Sequence, residues 1–466
     1  MEIKPYGRGE LKKPPSFWKI LGPSFILLGL GLGSGEVILW PYLSANYGLG
    51  LMWGAVVGIT FQFFINMEIG RYTLVTGESV FVGWTRLIGK LAPIWFIFST
   101  LLPWMWPGIV ASAARIMGSG LGIEETTGLA VGMILLSGIA LTLGPVLYQT
   151  QETMQKWLII LGVPFVLGLS WYLASGTDWS QLFMGVVGKG EGFWFLPAGV
   201  PIASFLAAVA FSGAGGNLNL GTSQNVKEKG YAMGAGMGRI TSLLTGKREE
   251  VELTGKFFEG TEENKKTFWK WWRLVNLEHG VVFWLTGLVT MLSLALLAYA
   301  TVHNKLAGVT GVDFVISEGG VIGSRLGVFW GRAFLVIAGL MLFATQLSVL
   351  ATTGKIMAEN WALIKYSQFK SENLSKYFYL FLWILIAMQI GVLMFGFREP
   401  LQLVTLSAVL NAGSMFIFSI MIMWLNKKKL PIIFRANLLR RMMMVLAIAF
   451  LGGFSIWTII QFLGRV

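Results

Sequence analysis

The chain has no cysteine, only two histidines in 466 residues, and only 13% charged residues. Without cysteine there are no disulfides, thiolate metal sites or thiol redox chemistry. His279 and His303 stand alone in the sequence. No HExxH, no GxSxG elbow and no paired carboxylates appear within the apolar runs, so enzymatic activity is not expected. So little charge beside 55% hydrophobic residues excludes a soluble globule. The period-two alternation of barrel strands is also missing, which leaves a helical membrane protein.

What is present is a series of apolar runs. A membrane-crossing helix needs about 20 mostly apolar residues. Eleven such windows recur, at 18–43, 49–75, 91–117, 127–147, 156–175, 195–238 (interrupted), 276–301, 326–353, 377–396, 400–425 and 440–463. They predict one all-α membrane domain over 1–466. With Met1 in the cytoplasm, most of the 36 Lys and Arg fall in loops on that side, as the positive-inside rule requires, and the C-terminus is extracytoplasmic. The net charge of +13 then reads as topology and attraction to anionic lipid headgroups, not as nucleic-acid binding. No A-x-A pattern follows the first run, so that span is expected to be retained. The long segment 239–275 reads as a solvated cytoplasmic loop leading into an aromatic anchor of Trp269, Trp271 and Trp272 at headgroup level. Its "TGKREE" lacks the glycines of a phosphate-binding loop.

The first run contains "GLGLGSGEVIL", Gly29 to Leu39. Gly29 and Gly33, like Gly31 and Gly35, are spaced as GxxxG, which by itself serves close helix packing. A second interruption, "AFSGAGGNLNLG" from Ala210 to Gly221, falls in the sixth run, five spans later. Two interrupted helices at matching places in two five-helix halves point to an inverted-repeat secondary transporter with its substrate at the bilayer midplane. The repeats would be 18–175 and 195–425, with 440–463 as an addition. A break frees carbonyls that can take a cation and amides that can take an anion. Candidate substrate-binding residues are therefore Gly33, Ser34, Gly35 and Glu36, then Gly213, Ala214, Gly215, Gly216, Asn217 and Asn219, and Asn411 of the tenth span. Glu36 and Asn217 are the candidate metal ligands, since an ionisable residue at this depth is costly and by default functional. The alternatives are a helix-capping role for Glu36, a hydroxyl bonded back to its own helix for Ser34, and interhelical hydrogen bonding for Asn411.

At these residues the chain resembles the Nramp family of divalent-metal transporters. "GPSFILLGLGLGSGE" lies where that family has a Gly-Pro start to helix 1 and an Asp-Pro-Gly-Asn break. "GRYTLVTGES", Gly70 to Ser79, is similar to its R-x-G-x-V-T-G stretch, and "GNLNLGTSQ", Gly216 to Gln224, to the segment after its Met-Pro-His. The resemblance implies the LeuT-type fold, with broken helices 1 and 6 and alternating access. The ligands differ. The family's metal-binding Asp falls on Gly33, its Pro on Ser34, its Gly on Gly35 and its Asn on Glu36, while its Met and His fall near Ala214 and Gly216. The acids that the family carries in helix 3, linked there to proton coupling, have no counterpart in "STLLPWMWPGIVASAA", so the family's usual proton coupling is not expected. A carboxylate with carbonyl and amide oxygens, lacking thioether and imidazole, is a hard site suited to Mg or Ca rather than Mn or Fe. A branch of Nramp-related proteins carries magnesium through a modified site.

"GSGE" and "AFSG" also resemble the breaks of the amino acid-polyamine-organocation transporters, whose backbone amides hold a substrate carboxylate; Glu36 would then pair with an amine. A non-transporting sensor or scaffold is the third reading. The expected partners are a small ion or molecule and lipid, with no cofactor and no nucleic acid. The expected state is a monomer in a prokaryotic plasma membrane. Among other polar residues, Glu68 and Arg71 are expected to pair at i,i+3, and Gln346 and Gln389 to bond between helices. Trp104 and Trp106 are expected to line or plug the pathway.

Overall fold

The computed structural model describes residues 3–463 except 248, 304–310 and 398. Backbone polar groups in lipid must be satisfied within the protein, so apolar runs of this length fold as helices. Among the described residues ten helices are long and apolar enough to cross a membrane: α1 (Pro23–Tyr47), α2 (Leu49–Thr76), α3 (Leu91–Leu121), α4 (Thr126–Leu143), α5 (Leu147–Leu173), α7 (Glu262–Thr301), α8 (Val328–Ile364), α9 (Asn373–Met394), α10 (Pro400–Lys429) and α11 (Leu438–Leu463). The eleventh, α6, is in two pieces, Ile202–Ala210 and Gly221–Lys229, joined through a 3-10 turn at Gly216–Leu220. Neither piece is long enough to span alone, which is why α6 is absent from the ten.

Burial separates the centre from the rim. In its most apolar window α1 is 94% buried, whereas α11 is 22% buried and turns most of its surface outward. The amphipathic pieces lie between spans. Val80–Ile88 follows α2, Gly176–Val186 precedes α6, and Asp313–Leu326 precedes α8. All three lie where the sequence reads as loop, because none is long enough to read as a span.

Segment 239–275 departs from expectation. Val251, Leu253 and Phe258 are buried, and Lys256–Phe257 pair in parallel with Gly7–Arg8. α7 begins at Glu262, fourteen residues before the apolar run, because Thr261 caps it by accepting from Asn264 N. Of the three tryptophans, Trp269 is half-buried and Trp271 and Trp272 are buried. The Trp271 indole donates to the Lys12 carbonyl at 2.8 Å, and the Arg71 guanidinium lies 3.8 Å over Trp272. The N-terminal segment and this loop therefore share one side of the molecule, as six crossings between them require.

Candidate functional site

Both interruptions are present, but they differ in kind. α1 runs helically to Gly31, turns at Leu32 and Gly33, and widens into a π segment, Ser34–Leu39, before resuming at Trp40. π segments concentrate at functional sites because the extra residue displaces backbone and side chains from the regular helical face. α6 is unwound. Its first piece ends at Ala210, and the chain returns to helix only after Gly215 and Gly216, both with positive φ (76° and 50°). At Gly216 a β-carbon would overlap the Asn411 side chain, so both conformation and space demand glycine there.

The four glycines of α1 serve two faces. Gly31 and Gly35 press on α6, against Gly213 and the Phe211 carbonyl, while Gly29 and Gly33 press on Gln155 of α5 and Thr345 of α8. The packing and the break readings of these glycines are thus both realised: close approach holds the widened turn of α1 against the gap in α6.

All eleven candidate residues are buried. Asn217 Nδ2 donates to Ser99 Oγ at 2.7 Å and Thr100 Oγ1 at 2.9 Å in α3, leaving Oδ1 unpartnered. Asn219 Nδ2 donates to the Gly216 carbonyl and to Gln62 Oε1, each at 3.2 Å, and its Oδ1 is also unpartnered. Asn411, against Gly216, has no hydrogen-bond partner for either amide atom. These three side chains gather around the second break. Glu36 points elsewhere. Its carboxylate has no hydrogen-bond partner and faces Gly287 of α7, beside Leu28 and Ile59. Glu36 and Asn217 are not hydrogen-bonded to each other, and among the described residues no three His, Cys, Asp or Glu side chains come together as a metal cluster. Neither alternative role is seen for Glu36 or Asn411: no side-chain cap bond is made by Glu36, and no interhelical bond by Asn411.

The residue that organises the gap is Gln62 of α2, which sequence reading missed. Its Nε2 donates to the carbonyls of Val209 (3.3 Å) and Ala210 (3.1 Å), and its Oε1 accepts from Gly215 N (3.4 Å) and Asn219. A single side chain thereby partners the groups that unwinding leaves over on both sides of the gap. The only signal in the sequence is a glutamine inside "GITFQFFINMEIG", and nothing there says which helix it meets. Trp40 adds a second tie, its indole donating to Ser212 Oγ at 2.9 Å.

Trp104 is buried beside the α6 gap. It stacks on Phe211 with centroids 5.4 Å apart and planes at 10°. The kink of α3 around Pro107 exposes the Trp104 carbonyl, which accepts from Gln389 Nε2 at 2.9 Å, and Gln389 Oε1 accepts from Gln346 at 2.7 Å. The expected pairing of these two glutamines is therefore present. So is the Glu68–Arg71 pair, bidentate at 2.8 and 3.0 Å.

Among the described residues, ten span-capable helices and the two-piece α6, with the interruptions of α1 and α6 apposed, make up the LeuT-type transporter fold. Among solved structures the chain is similar to a manganese transporter of Eremococcus coleocola, at 14% identity over 97% of this chain and 88% of that one, with a TM-score of 0.68. It is also similar to MhsT, solved in complex with L-phenylalanine, at 13% identity over 97% of this chain and 99% of that one, with a TM-score of 0.51. No family model and no curated protein matches its sequence. The likeness to Nramp-type proteins drawn from the motifs therefore holds at the level of the fold.

Proposed function

We propose that this protein is a secondary transporter working by alternating access, with a hard divalent cation of the Mg type as its cargo. The observation that carries the reading is the cluster at the α6 gap. Three buried amide side chains, Asn217, Asn219 and Asn411, keep oxygens without partners there, a costly arrangement unless something else binds them. Oxygen donors alone, without thioether or imidazole, favour Mg or Ca over softer metals. Glu36 is the one acidic residue on α1; its unpartnered side chain faces α7 in this conformation, so its part in the reading rests on the rocking that opens the gap. Rocking of α1, α2, α6 and α7 against the remaining helices would open the gap to each side in turn.

A second reading keeps the mechanism and changes the cargo. The Trp104–Phe211 stack forms an aromatic wall at the break. That wall and the glycine-lined backbone suit an amino acid or polyamine, with Glu36 as the partner of an amine.

Ligand-induced stabilisation of the purified protein separates the two, since a ligand that binds only the folded state raises its apparent stability. The panel holds Mg, Ca, Mn and Cd, with Mn included because the Eremococcus neighbour is named a manganese transporter, together with amino acids and polyamines. Stabilisation by Mg that disappears in Asn217→Ala and Glu36→Gln supports the cation reading. Stabilisation by an organic ligand with every metal silent replaces it with the second.

A further inference from the structure

A buried ionisable cluster joins α7 to the first turn of α1, ahead of the interruption of that helix. Glu278 is 1% exposed and accepts from Gly22 N and Ser24 N, both at 3.3 Å, and from Ser24 Oγ. The carboxylate thus crosses from α7 to hold the first turn of α1. Ser24 Oγ also lies 2.8 Å from His279 Nδ1. His279 is 3% exposed, stacked between Phe283 (4.5 Å, 4°) and Phe63 (5.5 Å, 18°), and its Nε2 has no partner. His279 opens the π segment of α7, His279–Leu285. A simple helix cap would need the carboxylate alone; the serine, the imidazole and the bulge are additional.

A cleft comes to the edge of this cluster. A methyl group at Gly22 would lie 2.9 Å from Lys229 Nζ and 2.5 Å from the Tyr148 hydroxyl. Those two residues line a cleft of about 430 Å³ with Glu152 and Arg239. The charged and titratable groups around Glu278 are Lys229 at the end of α6, ion-paired with Glu152 of α5 at 2.9 Å, Tyr148 of α5, and Tyr231, whose hydroxyl donates to the Ile20 carbonyl. On the far side of His279 stands Arg440 of α11, 3.6 Å from Glu68 of α2.

We infer that Glu278, Ser24 and His279 form a proton-binding site that couples protonation on α7 to the hold on the inner end of α1. This rests on the transporter reading above and names its coupling ion. With Glu278 ionised, Ser24 donates its hydroxyl proton to the carboxylate and His279 Nδ1–H donates to Ser24. With Glu278 protonated, the chain reverses: the carboxyl donates to Ser24, Ser24 donates to Nδ1, and the ring carries its proton on Nε2. The second state holds one proton more than the first: Nε2 takes up the incoming proton, the Nδ1 proton passes to Ser24 Oγ, and the Ser24 hydroxyl proton passes to the Glu278 carboxylate. Each state is a complete hydrogen-bonded chain, so the cluster can bind and release a proton without orphaning a group at Ser24. The ionised state also meets the positive end of the α1 dipole, so it fastens α1; the neutral state gives up that charge-assisted hold.

Two measurements on the full-length protein test this. In infrared difference spectra between mildly alkaline and mildly acidic pH, a carboxylic-acid carbonyl band should appear in wild type and be lost in Glu278→Gln. In Ser24→Ala, which keeps the carboxyl, its midpoint should shift. A band unchanged in Glu278→Gln, or an unmoved midpoint in Ser24→Ala, overturns the site. In proteoliposomes, uptake of the cargo driven by a pH gradient should fall to the leak level in Glu278→Gln while gradient-free exchange persists. Equal gradient-driven uptake in variant and wild type overturns the coupling. If wild-type liposomes move no cargo at all, the transporter reading fails, and the infrared titration still decides the proton site.

Discussion

Gly35 of α1 lies directly against the carbonyl oxygen of Phe211 in α6, at the place where each helix departs from regular geometry. No side chain larger than hydrogen fits between them. Gly35→Ala is therefore expected to force the two breaks apart and destabilise the protein by about 1–3 kcal/mol, the usual cost of overpacking a close contact. Thermal unfolding of the purified variant checks this. Gly413, which has open space at its β-carbon, should tolerate alanine and serves as the comparison.

Gln62 partners groups on both sides of the α6 gap, so Gln62→Leu leaves the Ala210 carbonyl and the Gly215 amide without partners in a buried place. Each orphaned group costs about 1–3 kcal/mol. The variant should unfold earlier than wild type. Gln62→Glu sets a carboxyl against the Val209 and Ala210 carbonyls in a buried place and should not restore the wild-type midpoint.

The Glu68–Arg71 pair is buried, with side chains 3% and 2% exposed, and Asn426 Nδ2 donates to the Glu68 carbonyl from α10. Removing one partner strands the other's charge. Glu68→Ala should cost about 3–5 kcal/mol, as breaking a buried ion pair does. Replacing both residues with apolar ones of similar size should cost less than the sum of the single losses. A double-mutant cycle on unfolding midpoints measures the difference.

Glu318 lies in the short helix before α8, 2% exposed, with Oε1 unpartnered. Burial raises its carboxyl well above the usual carboxylate range. An acid raised by folding adds stability that is full below its unfolded pKa and lost as pH rises through the folded one. Wild type should therefore lose stability with rising pH in the range above the ordinary Glu value. Glu318→Gln should remove that slope and melt later at neutral pH. Melting temperature against pH for the two proteins checks the sign.

The spans were legible because lipid leaves the backbone no choice: a run of about 20 apolar residues is a helix in any context. The glycine breaks were legible because Gly35 and Gly215 sit at matching places in two sets of five spans. Glu68 and Arg71 could be paired because both lie on one helix, three residues apart. What the sequence hid is contact between distant elements. Asn217 looks the same whether it faces Glu36 or Ser99, and the direction of its side chain depends on how far α6 unwinds. Gln62 is one polar residue in an apolar run until its partner at residue 210 is known. The pairing of Gly7–Arg8 with Lys256–Phe257 joins two polar stretches that carry no alternating pattern. The early start of α7 at Glu262 follows from a Thr261 cap ahead of a segment too polar to read as a span.

The central claim is that solute passes through the gap between α1 and α6, and flux tests it most directly. Proteoliposomes loaded with a Mg-sensitive dye should show saturable Mg uptake that Asn217→Ala and Asn411→Leu abolish while both variants remain folded. Uptake no faster than in protein-free liposomes, for Mg and for every amino acid and polyamine tested alongside it, would contradict the account.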